Sequence, residues 1–287
     1  MMMNFPTAVA APGIAASGVQ WFSLPGEPEI PAWLMGGFST RRGGLSHAYC
    51  AADAPGELNL GLTAHDDPAT VRANRKLFAE AVSGDAATPL ITLRQIHSCQ
   101  IVKAERGDAA REPLPEGDGL ITDQTGVLLG MQTADCIPVL VADLRRRAVG
   151  AFHAGWRGTV QGIAAAGVAQ MRQWYGCDPA EMLAFIGPGI GLCCYTVGEE
   201  VRAAFAERFG YAAELFRNAE DSASAPRLHL REANRRQLLD AGLRPEAIAL
   251  VGGCTLCERD LFFSHRGEQG RTGRMLSVIG IRAGERR

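Results

Sequence analysis

The stretch "GVLLGMQTADCIPVLVAD", followed closely by "AVGAFH", constrains the fold more than any other part of the chain. These apolar runs have strand length, are punctuated too closely to be helices, and are too apolar to face water. They read as buried strands, the first two separated by "QTADC", and they call for a sheet at the centre of the molecule. The third run ends on His153, after which the chain turns through Gly155, Trp156, Arg157 and Gly158 into a helical pattern reaching Tyr175. A strand that feeds a helix through a glycine-rich turn presents its last side chain at the mouth of a sheet, where ligands bind in α/β proteins.

The remaining segments mix strands and helices without a strict βαβ alternation. "DDPATVRANRKLFAEAV" reads as a helix with Asp67 at the N-cap, Pro68 at its first position and Val71, Leu77 and Phe78 on one face. "LITLRQIHSCQIVKA" is β-branched and partly alternating, "GDGLITD" is a short strand entered by a turn, and "MLAFIGPGI", "AIALVGG" and "MLSVIGIR" are further strands. Helices are predicted near "VGEEVRAAFAERFG" and "LREANRRQLLDAG". The most polar stretch, "RNAEDSASAPR", is loop length, and neither a repeat nor an interdomain linker interrupts the pattern. The expected architecture is α/β, a single domain over residues 19–287 with a mixed β-sheet and flanking helices, after a flexible tail over residues 1–18.

A hydrophobic fraction of 47% in 287 residues is ample for such a core. The 29 basic and 31 acidic residues are spread along the chain without a basic block, which argues against nucleic acid as a partner. The Ala-rich start has no Lys or Arg ahead of its apolar residues and is broken by Pro6 and Pro12, unlike a signal peptide. No segment approaches the roughly 18 uninterrupted apolar residues of a membrane span. A soluble, cytoplasmic protein acting on small molecules is expected. Eight cysteines without an export signal read as thiols and not as a disulfide framework.

Among the six histidines, His97 lies in "RQIHS" within a strand pattern and His153 ends another strand, while Cys136 falls at the break "TADC". Two imidazoles and a thiolate suit Zn²⁺, which keeps a fourth position open when it is catalytic. Their spacing matches no local zinc signature, so the alternative of two hydrogen-bonded histidines and an unrelated buried thiol stays open. Cys254 and Cys257 form a CxxC with no second CxxC, and read as packing or loop cysteines. The adjacent Cys193 and Cys194 are expected to point in different directions and are assigned no chemistry. Arg41 in "STRRGGLS" and Arg157 in "GWRG" stand beside glycines, where a guanidinium and backbone N–H groups can approach an anion, or simply occupy a surface turn.

Taken in order, "STRRGGLS", "DDPATVRANR", "RQIHS", "GDGLITD", "TADCIPVLVAD", "FHAGWRG", "GPGIGLCCYTVGEEV" and "CTLCERDLFFSHRGEQGRTGRM" resemble the YfiH family, also called the laccase-domain, polyphenol oxidase or purine nucleoside phosphorylase YfiH family. The resemblance runs from about residue 35 to 282. It implies a fold likened to cysteine hydrolases of the cytotoxic-necrotizing-factor kind, and a zinc ion held by His97, Cys136 and His153. It implies phosphorolysis of adenosine, inosine, guanosine and methylthioadenosine, deamination of adenosine, and a substrate-site role for Arg41. One departure stands out: His265 and Gly267 occupy "FFSHRG" positions where the family usually has Tyr and Arg, which bears on substrate preference.

On this reading zinc polarises the substrate and lowers the pKa of water, Arg41 and Arg157 stabilise an anion, and Asp135 is a candidate proton carrier or a hydrogen-bonding residue. Two other enzyme readings remain. In one, Cys136 is a nucleophile activated by His153 in an amide hydrolase that edits peptidoglycan precursors. In the other, copper occupies the site and phenol oxidation is a side activity, although no HxH pair exists for a multicopper oxidase. The H-x-E signature of zinc nucleobase deaminases is also absent.

Overall fold

A computed structural model describes residues 7–8, 11–26, 30–51, 53–217 and 225–284. The strongly apolar runs do form strands, but Val127–Thr133 and Ile137–Asp143 belong to different sheets. Ile137–Asp143 pairs antiparallel with Ala148–Ala154 on one side and Met182–Ile186 on the other, within a seven-stranded mixed sheet. Val127–Thr133 pairs antiparallel with Met275–Ile281, which pairs with Leu34–Ser39, within a six-stranded sheet.

Side-chain alternation explains why two sheets are needed. In Ile137–Asp143, Val139 and Val141 pack with helix residues such as Ile163, Val168 and Leu238, while Leu140 and Ala142 pack with Leu129, Met131 and Ile279 of the other sheet. A strand apolar at every position requires cover on both faces. Helices supply one cover and a second sheet the other. The outer face of the six-stranded sheet, with Leu128, Leu276 and Val278, is closed by Phe78, Ala79 and Val82 of the helix Pro68–Ser83. The layers therefore run helices, sheet, sheet, helix, so that the expected single mixed sheet is in fact two stacked ones.

Local signals behave as their chemistry dictates. The Asp67 side chain accepts from the backbone N–H groups of Ala69 and Thr70 with Pro68 at the first helical position. The helical pattern after His153 is divided into Trp156–Gln161 and Ile163–Tyr175, because Gly162 takes φ 86 between them. The second of these helices packs closely on the sheet: a Cβ at Gly167 would overlap the Phe152 ring. Within residues 1–18, Thr7–Ala8 pairs with Leu250 and Val251, and Gly13–Ile14 pairs with Gln20 and Trp21; residues 1–6, 9 and 10 lie outside the described residues. Among the described residues no helix is long and apolar enough to cross a membrane.

Candidate functional site

The break "TAD" is the crossover from one sheet to the other, and it delivers Cys136 to the edge between them. Asp135 turns this corner at φ 85. Its carboxylate accepts from Thr255 Oγ1 at 2.6 Å, Ser264 Oγ at 2.8 Å and the Arg266 backbone N–H at 2.6 Å, tying the crossover to the loop that carries His265. Beside Cys136 stands His153, near the end of Ala148–Ala154 and paired in register with Pro138.

His97 reaches the same place from a loop and not from the strand its pattern suggested; only Leu90–Ile91 and Ile101–Lys103 of that segment are strands. The cause is Asp118, which ends the turn before Gly119–Thr122 and is fully buried. Its carboxylate accepts the backbone N–H groups of Ile96, His97 and Ser98 and the Ser98 hydroxyl. Backbone groups that a strand would offer to a neighbour wrap this anion instead, and His97 takes φ 59 to allow it. The same carboxylate lies 2.8 Å from His153 Nδ1, which turns the other ring nitrogen toward Cys136.

The ligand atoms of His97, Cys136 and His153 lie within 4.8 Å of one another, with Cys136 Sγ 3.9 Å from His97 Nε2. They could hold a metal ion. The donor set of two imidazole nitrogens and a sulfur, with a carboxylate orienting one imidazole from behind, matches what borderline-soft divalent metals take. Burial alone would raise the Asp118 carboxyl, but its bonds to His153 and Ser98 hold it down at about 2. Burial likewise pushes the Cys136 thiol up and the adjacent His153 and His97 pull it down, to about 6. His153 is pushed down by burial and raised by Cys136 and Asp118 to about 9. Each of the two groups favours the charged form of the other, and a bound cation would supply the positive charge beside the thiolate that a protonated His153 otherwise provides. Gly155 leaves the room for this packing, since a Cβ there would lie 2.9 Å from His97 Cδ2 and 3.1 Å from Cys136 Sγ.

The triad opens on a cavity of about 600 Å³ whose walls include Arg75, Arg94, Arg274 and His265. The structure does not bring Arg41 into that wall. Its guanidinium donates to Glu57 at 2.7 Å, Glu268 at 3.1 Å and the Arg259 carbonyl at 2.9 Å, and lies over the Phe263 ring. Arg157 is exposed at the start of its helix, folded over the Trp156 ring. His265, which departs from the family pattern, does line the cavity, while Arg75, Arg94 and Arg274 line it without having been singled out, and Asp118 behind the triad is a further residue that sequence reasoning missed. An acidic residue between two glycines reads as turn chemistry, and only its burial marks it as a histidine partner. Cys193 and Cys194 do not diverge as expected: their sulfurs meet those of Cys254 and Cys257, all four within 4.8 Å of one another. A tight turn, with the Cys194 and Tyr195 N–H groups both bonded to the Gly191 carbonyl, directs the two neighbours to one side.

The family described as multi-copper polyphenol oxidoreductase laccase matches residues 35–282. The purine nucleoside phosphorylase YlmD of Bacillus subtilis is 38% identical over 255 residues, covering 87% of this chain and 89% of that protein. Its counterpart YlmD of Geobacillus stearothermophilus is 39% identical, covering 88% and 91%. The crystal structure of the Bacillus licheniformis hypothetical protein YfiH superposes with a TM-score of 0.81 at 35% identity, covering 94% of this chain and 99% of that one.

Proposed function

The chain belongs to the family described as multi-copper polyphenol oxidoreductase laccase, and within it we propose a zinc-dependent, cytoplasmic purine nucleoside phosphorylase that takes adenosine, inosine, guanosine and methylthioadenosine and also deaminates adenosine. The observation that carries this reading is the three-donor His97, Cys136, His153 group opening on a cavity with arginines in its wall. The names of the YlmD relatives supply the substrate class.

In phosphorolysis the ribose C1′–N9 bond breaks, a phosphate oxygen bonds C1′, and the proton of hydrogen phosphate passes to the departing purine. Zinc, when bound, supplies Lewis-acid polarisation of the substrate. Asp118 orients His153 and fixes its Nδ1 side, so that the other nitrogen faces the ligand position. Arg75 and Arg274 supply the positive charge that gathers phosphate. Arg157, at the exposed start of its helix, contacts substrate. Arg41 and Asp135 serve as positioning residues, one clamping the loop around Glu268 and the other joining the Cys136 crossover to Ser264 and Arg266. In deamination water replaces the amino group at purine C6 and ammonia leaves.

Incubating zinc-loaded protein with adenosine should give adenine and ribose 1-phosphate only when phosphate is present, and inosine and ammonia without it. Chelation should abolish both, and Cys136→Ala should lose metal and turnover together. A second reading is favoured by the line Cys136, His153, Asp118, which has the order of nucleophile, base and orienting carboxylate in a cysteine hydrolase. Full activity on an amide substrate in metal-free protein, with a mass-detected adduct on Cys136, would replace the first reading by that one. The multicopper oxidase reading finds less support: among the described residues the histidines form only one group with metal-ligand geometry.

A further inference from the structure

We propose that Cys193, Cys194, Cys254 and Cys257 form a second metal site, a closed tetrathiolate for one Zn²⁺ ion, independent of the phosphorylase reading. The four sulfurs come from two turns more than fifty residues apart and lie within 4.8 Å of one another. Cys257 Sγ is 3.4 Å from Cys193 Sγ and 3.3 Å from Cys194 Sγ. A Zn–S bond of about 2.3 Å implies sulfur–sulfur edges of about 3.8 Å in a tetrahedron. The two observed spacings fall within about 0.5 Å of that edge. They are far longer than the roughly 2.05 Å of a disulfide, and an iron–sulfur cluster would hold its thiolates further apart, across the cluster.

The backbone around the sulfurs is arranged for thiolates. Cys254 Sγ accepts the Gly191 N–H at 3.2 Å and is further hydrogen-bonded by the N–H groups of Leu256 and Cys257 in its own turn. N–H groups converging on a sulfur stabilise its charged form. Gly191 allows the turns to meet, since a Cβ there would lie 3.1 Å from both Cys193 Sγ and Cys254 Cβ. Four thiolates on one divalent ion leave a net charge of two minus. Arg231 stands beside this charge, its guanidinium fixed by the carbonyls of Gly252 and Gly253 at 3.0 Å each. Binding releases the thiol protons to solvent with no change of oxidation state. Soft sulfur donors select zinc over magnesium or calcium.

With four protein ligands the site has no open position, so its work is structural. It fastens the turn after Met182–Ile186 to the turn after Ile248–Val251. Thr255, between the two CxxC cysteines, donates to Asp135, the neighbour of Cys136. The tetrathiolate thereby steadies the crossover that carries the triad.

The test uses full-length protein loaded with Zn²⁺. Elemental analysis should find about two zinc ions per chain, with one remaining in His153→Ala and one in the Cys254→Ser/Cys257→Ser double variant. His153→Ala loaded with Co²⁺ should show sulfur-to-cobalt charge-transfer and tetrahedral d–d bands. Cys193 and Cys257 are exposed, yet peptide mapping of the zinc-loaded wild type should find them alkylated at least roughly tenfold more slowly than after chelation. This last readout requires no variant to fold. Equal alkylation with and without metal, absence of metal from His153→Ala, or an intact mass short of the hydrogens of a disulfide joining these cysteines would overturn the proposal.

Discussion

The two clusters of metal-ligand character differ in donor number, in surroundings and in what stands behind them. His97, Cys136 and His153 bring three donors to a cavity, and the inner histidine is only 3% exposed with a buried carboxylate against it. The four cysteines bring a complete coordination sphere to the surface, backed by peptide N–H groups and one arginine. Both depend on backbone drawn tightly around sulfur, at Gly155 in one case and Gly191 in the other. The difference shows how one chain can separate reactivity from cross-linking. An incomplete sphere with an oriented imidazole leaves room for substrate, whereas a complete one leaves none.

Asp118→Ala should divide the two regions most sharply. It strands His153 and the N–H groups of Ile96, His97 and Ser98, which should cost about 3–5 kcal/mol of stability and about 10–100-fold in affinity at the triad. Denaturant unfolding and zinc titration would measure both, with metal on the four cysteines retained. Unchanged triad affinity would mean that Asp118 does not orient His153.

Acid should act on the triad side next. The folded Asp118 carboxyl titrates at about 2 against an ordinary 3.8, so its contribution of about 2 kcal/mol is complete above the ordinary value and disappears as pH falls through the folded one. The expected outcome is that wild-type stability falls over that acid range and that Asp118→Asn flattens the slope, read from urea midpoints at a series of pH values.

Gly155→Ala places a methyl against His97 and Cys136. Overpacking of this kind costs about 1–3 kcal/mol, and it should weaken zinc at the triad while leaving the cysteine cluster loaded. Equal loss from both sites would indicate a global effect in place of a local one. Smallest of all, Arg157→Ala should change stability by less than about 0.5 kcal/mol, because the side chain is exposed. It should raise KM for a nucleoside with zinc content intact. Unchanged kinetics would return Arg157 to the role of a surface residue.

Much of the centre could be read before folding because its chemistry is carried by rare residues. Few histidines and a cysteine at breaks between apolar runs leave few arrangements, and the motifs around them resemble those of one family. Asp118 escaped this logic, since a glycine-flanked Asp is ordinary in a turn and its importance comes from the loop it gathers. His97 was misplaced in a strand for the same reason: β-branched neighbours report local preference, while three N–H bonds to a buried carboxylate overrule it. Arg41 looked free beside its glycines until Glu57 and Glu268, far from it in the chain, took its donors.

The apolar runs by themselves determined that buried strands would form the centre of this protein, and Asp67 with Pro68 determined where its long helix starts, because periodicity and capping act between near neighbours. That consecutive strands would part into two stacked sheets, that Cys136 would stand at their crossover, and that two pairs of cysteines would meet were decided only in three dimensions. Each of these depends on which faces bury one another across long stretches of chain, a matter of packing the whole core at once.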